Sequence, residues 1–578
     1  MTETTVAVTG GGNASRHGPI TKAIWYRELD RYPDTWPRII YLGIVVLATI
    51  ILYYQLYVAG AVAPQILAHY HMTFRFYVYI TVVGNAIGAF TSILAGLADR
   101  WGRANMVAYG LGLTGLLVLF GIPNAPDEWA FAILVCAVGF VEGIVLVATP
   151  ALVRDFSPQL GRASAMGFWT LGPVVGSLVV AEVASHTLSH LTAWQDQFII
   201  CGVAGLVVFV IALFGLRELS PGLRDQLMVS IRDRTLIEAR AKGIDISATL
   251  RRPWRQMLHV DIIASAFAIS VFLIIYYTAV GFNVIYFETI FGFSSSQANA
   301  LGNWLWAFDA GALIVVGIIS DRARVRKPFM IVGGLGALAM TILYLEQATN
   351  PHTGYYTVAW MFSLLAIFLA TAYGPWMASF TETVERRNPA LTATGLAVWG
   401  WILRAVVAIS IFVLPFVVSS VTPLVESGAL AVKAEKIIKS DPNVSTVLAH
   451  PKLFAQLVKY PPTKIPAPLL AEAIKEVGIP KLTAAAKDTK LKGEIAFLQR
   501  HAAALASVKH AAKVSPGQWQ TWYWVCVAGE ALFLPFIFLM AGRWRPKRGR
   551  EDARRHEEMV NAELAKLAAA RAATASSR

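Results

Sequence analysis

The sequence predicts an all-α membrane protein in which twelve transmembrane helices form two bundles of six, with a helical segment inserted before the last of them. Three observations favour this fold class. Of the 578 residues, 56% are hydrophobic and only 15% are charged, whereas soluble chains carry roughly 25% charged residues. Twelve segments are each long and apolar enough to cross a bilayer. A polar connector near the middle separates the first six segments from the others.

Each of these segments meets the length that a bilayer demands. About 20 mostly apolar residues are needed, because a helix rises about 1.5 Å per residue and the hydrocarbon is about 30 Å thick. Backbone groups in lipid must be satisfied within the chain, which favours helices. The twelve predicted spans are 37–66, 75–98, 105–122, 129–153, 163–185, 197–216, 260–288, 297–319, 327–346, 355–381, 391–420 and 519–542.

The short loops alternate in charge and so predict the topology. Basic residues lie in one set of loops: Arg100, Arg103, Arg154, Arg162, Arg322, Arg324, Arg326, Lys327, Arg386 and Arg387. The alternate loops, 67–74, 123–128, 186–196, 289–296 and 347–354, contain no Lys or Arg. The positive-inside rule places the first set in the cytoplasm. An even number of spans then puts both termini there, in a plasma membrane or a bacterial inner membrane.

The remaining segments complete the predicted domain organisation. Residues 1–36 are polar and lack the apolar core of a signal peptide, so we expect a cytoplasmic N-terminal segment. The predicted domains are an N-terminal bundle (37–216), a cytoplasmic linker (217–259), helices 7–11 of the C-terminal bundle (260–420), an extracytoplasmic insertion (421–518), helix 12 (519–542) and a basic cytoplasmic tail (543–578).

The insertion contains fourteen Lys or Arg residues against seven Asp or Glu residues. Its Ala-rich stretches have helical spacing with one apolar face, which favours a small helical domain; a solvated spacer is the alternative, because few large apolar residues are available for a core. The basic surplus also motivates an anionic envelope polymer, a lipid or a protein as its partner.

One short motif occurs at matching positions of the two halves. The second span ends in AGLADRWGR at 95–103, and the eighth ends in GIISDRAR at 317–324. The first copy resembles the G-x-L-A-D-R-x-G-R loop of the major facilitator superfamily. That resemblance implies two six-helix bundles around a central path that alternates between outward-open and inward-open states. It also implies a conformational latch on the cytoplasmic side; its candidate residues are Asp99, Arg100, Arg103, Asp321 and Arg322.

Subfamily signals are mixed. The first span contains QLYVAGAVAPQI at 55–66, which resembles the first-span motif of drug exporters, but Gln55 replaces the acidic residue found there. In the fifth span, GPVVG at 172–176 resembles the antiporter motif. The same Gly-Pro pair also suits a kink or a close-packing site.

Ionisable side chains in mid-span are costly unless they face a cavity or a partner, which makes them functional candidates. Glu142 in span four, Asp309 in span eight and Arg404 in span eleven meet this criterion. By resemblance, span four lines the central path, so Glu142 is the leading candidate for proton binding or substrate contact. For Asp309 and Arg404 we favour a structural ion pair over a switchable substrate site.

Polar and aromatic residues of spans one, seven and ten are candidates for lining a solute site. They are Gln55, Tyr57, Tyr277, Asn283, Tyr373 and Trp376. Tyr373 and Trp376 share a helix face beside Pro375. Each of these residues also suits interhelical packing, and such a set would accommodate sugars, aromatic acids or amphiphilic drugs equally well.

Other function classes find little support. Cys136, Cys201 and Cys526 lie in apolar stretches without metal-ligand spacing, and no Walker pattern occurs. We therefore expect no enzyme activity, no cofactor, no metal and no nucleic-acid partner. The sequence predicts a secondary transporter of a small organic solute, most simply a proton-coupled symporter of a sugar or an organic acid. Proton antiport of drugs or amphiphiles is the alternative, and a receptor or scaffold that displays the insertion is the alternative of another class.

Overall fold

The computed structural model describes residues 24–91, 101–156, 162–220, 253–347, 352–388, 391–460 and 464–548, with isolated positions beside them. In the first half the elements are β1 (Glu28–Leu29), α1 (Thr35–Ala61), α2 (Ala63–Tyr70), α3 (Phe74–Thr91), α4 (Arg103–Leu116), α5 (Glu128–Phe156), α6 (Arg162–Thr187), α7 (Trp194–Gly215) and β2 (Glu218–Leu219). In the second half, the membrane helices are preceded by α8 (Pro253–Met257) and comprise α9 (Val260–Phe272), α10 (Ile274–Phe291), α11 (Ser295–Ala323), α12 (Lys327–Gln347), α13 (Tyr355–Arg387) and α14 (Thr392–Val417).

Helices occupy all twelve predicted spans. Among the described residues, ten are long and apolar enough to cross a membrane, with α9 and α10 forming one of them. Helices α3 and α6 lie at the two other predicted positions. The all-helical membrane fold is thus confirmed, while the count of twelve spans stays a prediction.

Two predicted spans are interrupted. The first breaks at Val62, and Pro64 stands at the start of the following helix α2, where its missing N–H costs no helical hydrogen bond. The seventh breaks at Leu273, between α9 and α10. At both residues the backbone leaves the helical conformation.

The inserted segment is helical as well. Its elements are α15 (Val421–Glu426), α16 (Gly428–Ser440), α17 (Pro442–Ala449), α18 (Pro451–Leu457), α19 (Ala467–Val477), α20 (Ile479–Lys487), α21 (Leu491–Arg500) and the start of α22 (Ala502–Phe536). Helix α22 begins 17 residues before the predicted start of span twelve (519 − 502). Two small apolar clusters, one around Val444 and Leu498 and one around Ala473 and Val477, hold these short helices together. The side of the membrane on which they lie stays a prediction.

The two bundles meet along two pairs of helices. Helix α6 packs against α11, and α3 packs against α14. Within the first bundle, Gly172 and Gly176 of α6 approach Thr49 and Tyr53 of α1 so closely that a Cβ would overlap them. The Gly-Pro motif therefore acts at least as the close-packing site that the sequence suggests.

Candidate functional site

A central cavity lies between the two bundles. Its volume is about 110 Å³. The first bundle contributes Tyr53 and Tyr57 of α1 and Pro173 and Val174 of α6. The second bundle contributes Leu273, Tyr276, Tyr277, Asp309, Leu313, Leu369, Tyr373, Trp399 and Leu403. The wall is thus aromatic, with one carboxyl group among its residues.

Asp309 is the carboxyl group of this wall. It lies in α11, is 6% exposed, and also lines a smaller adjoining cavity with Asn283 and Trp306. Among the described residues it forms no ion pair, Arg404 included. The prediction of a structural ion pair between Asp309 and Arg404 is therefore wrong. Equal depth in the membrane does not by itself bring two charges together, because packing against neighbouring helices sets which way each side chain faces.

Arg404 of α14 is nevertheless close to the same cavity. Its neighbour Leu403 lines the wall, and the guanidinium acts electrostatically on the hydroxyls of Tyr53 and Tyr277. Its side chain is largely exposed. A cation and a carboxyl group thus flank one aromatic cavity without neutralising each other directly.

Glu142 lies elsewhere in the fold. It is 2% exposed in α5, and neither carboxylate oxygen has a hydrogen-bond partner among the described residues. It is near Tyr53, Tyr57 and Cys201 inside the first bundle. It therefore lies behind the α1 wall of the cavity.

Some of the polar and aromatic candidates line a cavity, and others lie inside a bundle. Tyr57, Tyr277 and Tyr373 line the central cavity, and Asn283 lines two adjoining ones. Gln55 instead accepts a hydrogen bond from Thr114 Oγ1 (2.7 Å) inside the first bundle. Trp376 is fully buried behind the wall and stacks on Tyr373 with 6.1 Å between ring centroids.

Several residues of the site were not singled out from the sequence. Tyr53 stands one helical turn before Tyr57, and Tyr276 directly precedes Tyr277. Helical spacing from Tyr57 could therefore have indicated Tyr53 as a residue of the site. Glu530 of α22 is another buried carboxyl group, and it accepts a hydrogen bond from Thr341 Oγ1 at 2.8 Å. An acidic residue in an apolar run was a visible signal that the sequence analysis missed.

Hydrogen bonds between the bundles lie at one end of the cavity. We define the outer gate as the residues that make them: Ala61, Gln65, Phe74, Ser185, Ser295, Ser296, Asn299, Asn303 and Thr422. Gln65 Nε2 donates to Ser295 Oγ (2.8 Å), which donates to Glu288 Oε1 (2.5 Å). All lie at the helix ends that the sequence predicts to be extracytoplasmic.

At the opposite end, the N-terminal segment closes the first bundle. Arg27 is 1% exposed and donates to Asn105 Oδ1 and to the carbonyl oxygens of Ala104, Ala212 and Leu213, at 2.7–3.2 Å. Burial lowers the pKa of its guanidinium. Strand β1 pairs in parallel with β2, Glu28 opposite Glu218.

The predicted latch residues lie beside this segment. Arg103 donates to both carboxylate oxygens of Asp155, at 2.9 and 2.7 Å, and its backbone N–H donates to Glu218 Oε2 at 2.7 Å. Gly102 has φ +92°, a conformation that favours glycine. Asp99 and Arg100 lie outside the described residues. The latch role stays a prediction.

The second copy of the motif makes a comparable contact in the other bundle. Asp321 forms an ion pair with Arg326 (2.6 Å), and Arg326 also contacts Glu382 (3.1 Å). Arg322 is exposed. Each motif copy therefore joins its own bundle's helices in this structure.

Residues 45–412 match the sequence model of the Major Facilitator Superfamily. The chain belongs to this superfamily. The match agrees with the motif at 95–103, which resembles a loop of this superfamily.

Individual relatives match over shorter stretches. The chain is 29% identical over 165 residues to the uncharacterized MFS-type transporter YttB of Bacillus subtilis, covering 28% of this chain and 38% of YttB. It is 24% identical over 293 residues to the efflux pump radE of Floropilus chiversii, and this match covers 45% of this chain and 51% of radE. The matched region thus spans between about a third and a half of these relatives.

Solved structures agree on the MFS fold. A bacterial homologue of the human lysosomal transporter Spinster, in an inward-facing and occupied conformation, has a TM-score of 0.55 at 16% identity and covers 87% of this chain and 97% of its own. A D-xylose-proton symporter has a TM-score of 0.50 at 14% identity, and the match covers 65% of this chain and 89% of the symporter chain. At these identities the likeness concerns the fold alone.

Proposed function

We propose that this MFS transporter moves a small organic solute by proton-coupled alternating access, with Asp309 as the proton-binding carboxyl group. The supporting observation is the position of Asp309 on the wall of a cavity formed by both bundles. Because Asp309 forms no ion pair among the described residues, its carboxyl group is available to bind and release a proton. Contact with the cavity gives it a route for proton exchange that Glu142, inside one bundle, lacks.

The same geometry supports a solute site made of Tyr57, Tyr277, Asn283 and Tyr373, with Arg404 at its edge. Tyrosine hydroxyls and an amide can bind hydroxyl or carboxylate groups of a metabolite, while the rings pack against its carbon skeleton. Gln55, which replaces the acidic residue of drug exporters, favours symport of a sugar or an organic acid. Glu142 is the second proton-site candidate, because it lies directly behind Tyr53 and Tyr57.

Alternating access requires the outer gate to open as the cytoplasmic side closes. The outer gate is hydrogen-bonded here, and the latch residues Arg103 and Asp321 engage partners in their own bundles. We propose that the latch residues exchange these partners for contacts between bundles in the outward-open state. The transporter would then alternate between two sets of polar contacts.

The test uses purified protein in liposomes that contain a pH dye, challenged with sugars, carboxylates, amino acids and cationic drugs. We expect solute-dependent proton movement that Asp309→Asn abolishes while exchange of labelled solute persists. Glu182→Gln is the matched control, since Glu182 is exposed near a span end. Unchanged coupling in Asp309→Asn would refute the assignment, and loss of coupling only in Glu142→Gln would transfer it to Glu142.

Proton antiport of amphiphiles is the second candidate, and the largely apolar lining around the site favours it. The direction of proton movement in the same assay separates the two: symport carries protons with the solute and antiport carries them against it. A receptor or scaffold is the candidate of another class. It predicts that deletion of residues 421–518 abolishes function while Glu142 and Asp309 tolerate neutral replacement.

The insertion supports one further proposal, that it lies outside the membrane and binds an anionic envelope polymer. Lys433, Lys439 and Lys490 are exposed members of its basic set. Binding of the whole transporter to teichoic acid or heparin, and its loss at high salt, is the expected result. Affinity that is negligible and insensitive to salt would refute it.

A further inference from the structure

We infer that the transported solute carries an apolar group, and that a second chamber beside the central cavity receives it. This inference deepens the proposed transport function and rests on it. The apolar chamber has a cavity volume of about 140 Å³ and lies between α1, α3, α5, α10 and α14. An apolar cavity of about this size can hold a small hydrocarbon group.

The chamber is continuous with the central cavity. Tyr57 of α1 and Tyr277 of α10 line both spaces. A single ligand can therefore place one end beside Asp309 and the other end in the chamber. The two spaces together form one elongated site with a polar end and an apolar end.

Three polar side chains of the chamber wall donate to backbone carbonyl oxygens. Tyr77 donates its hydroxyl to Ala59 O (3.2 Å), Thr81 donates to Tyr77 O (3.2 Å), and Asn85 donates its amide to Thr81 O (2.8 Å). The described wall contains no carboxylate, Lys, Arg or His. A ligand in this chamber meets mainly side-chain carbon, which favours an apolar group.

Two glycines show that the space is open to a ligand. Gly84 and Gly281 belong to the chamber wall, and a Cβ built on either would meet no atom within 4 Å. Gly84 is itself buried, so that direction is interior space and not the membrane. A Cβ added at either glycine would therefore not displace a neighbour.

The chamber lies at mid-depth behind the seam of α3 and α14. On one side of it Tyr79 stacks on Phe412, with 5.3 Å between centroids, and on the other Phe90 meets Trp401 at 6.5 Å. Wall residues Ile80 and Gly84 of α3, and Val407 and Ile411 of α14, lie between these contacts in sequence. Aromatic contacts thus join α3 and α14 on both sides of the chamber along the helix axes.

The test fills the chamber. Gly281→Leu adds four carbon atoms there, and Gly43→Leu is the matched control, because Gly43 is exposed on α1 and its Cβ would also meet no atom within 4 Å. Glycine to leucine is favourable for a helix at both sites. Binding is followed by tryptophan fluorescence of the whole transporter in nanodiscs. The probes are carboxylates and trimethylammonium compounds with chains of 2, 6 and 10 carbons.

We expect wild-type affinity for one probe series to increase with chain length, up to about fourfold per buried methylene. Gly281→Leu should lower affinity for the ten-carbon probe at least tenfold and leave the two-carbon probe unchanged. Because every protein sees the same lipid, comparison with Gly43→Leu removes the effect of membrane partitioning. Equal affinity of both variants for the ten-carbon probe, or no binding of either series, would overturn the inference.

A second experiment distinguishes whether the apolar group belongs to a membrane lipid or to a soluble amphiphile. Fluorescent phosphatidylcholine is placed in the bilayer of proteoliposomes, and its movement between leaflets is measured with dithionite. Movement that Gly281→Leu blocks would assign the chamber to membrane lipid, and binding of the aqueous probes alone would assign it to soluble amphiphiles. Failure of the transport proposal appears differently, as unchanged proton coupling in Asp309→Asn with chamber binding intact.

Discussion

The outer gate gives a quantitative prediction about the balance between conformations. Asn299 of α11 donates its amide to Ala61 O across the bundles (2.9 Å), and Thr422 accepts a hydrogen bond from Phe74 N (3.0 Å). Opening the gate must break both. Asn299→Ala and Thr422→Val each remove one of these bonds. Asn299 also donates to Ser295 O within its own helix, and that bond does not distinguish the two states.

The expected magnitude follows from the number of bonds lost. One neutral hydrogen bond contributes about 1 kcal/mol net, which corresponds to about a fivefold change in the ratio of outward-open to closed molecules. Asn299 and Thr422 lie on different helices and share no partner, so their effects should add. The double variant should then shift the ratio by about 2 kcal/mol, or about thirtyfold.

Electron–electron distance measurement provides the assay. Spin labels are placed at the outer ends of α2 and α12 after the three native cysteines are replaced, and the populations of short and long distances are compared. Asn124→Ala is the control, because its amide donates to Phe120 O in its own chain segment (2.8 Å). Unchanged populations in the double variant, or an equal shift in the control, would refute the reasoning.

Three further predictions concern stability. Arg27→Ala should destabilise the first bundle by about 3 kcal/mol and lower Tm, because the backbone carbonyls of Ala104, Ala212 and Leu213 each lose a hydrogen bond from a charged donor; a Tm within error of wild type would contradict it. Gly333→Leu should reduce the yield of folded protein, because its side chain would overlap the backbone of Ala372 in α13, and Gly43→Leu should not. Hydrogen bonds from the side-chain amide of Asn443 and from the backbone N–H groups of Lys490 and Leu491 hold the pKa of Asp488 at about 2, below the roughly 3.9 of an unfolded chain. Its stabilisation should be complete above about pH 3.9 and lost as the pH falls toward 2, so pepsin should cleave the insertion faster at pH 2.5 than at pH 4.5, and Asp488→Asn should remove much of that difference.

Much of the fold could be predicted because bilayer thickness imposes a length on each apolar segment. The predicted spans all coincide with helices, and the motif at 95–103 indicated the family before any comparison. Two breaks were not predicted. Pro64 was visible, but a proline near a helix start is also compatible with a continuous span, and Leu273 carries no local signal for a break.

The site could be predicted only in part. Depth in the membrane can be read from position along a span, and it selected Asp309, Glu142 and Arg404. Rotation of each helix about its axis is set by packing, which a single sequence does not specify. For that reason Asp309 was correctly placed in mid-span, yet its expected ion pair with Arg404 is not formed, and Trp376 lies behind the wall that Tyr373 lines.

The two ends of the insertion are joined to each other where they meet the bundle. Ser420 N donates to Gln518 Oε1 at 2.9 Å, and Gln518 Nε2 donates to Ser419 Oγ at 3.2 Å. Chain can therefore be lengthened or exchanged between these points without moving the membrane helices, at little more than the entropy of closing a longer loop. Helix α22, which is about 52 Å long at 1.5 Å per residue, continues from this segment into the bundle. A folded protein fused to the first turns of α22 would be held rigidly relative to the bundle. This point of the chain is therefore suitable for attaching a rigid marker for imaging.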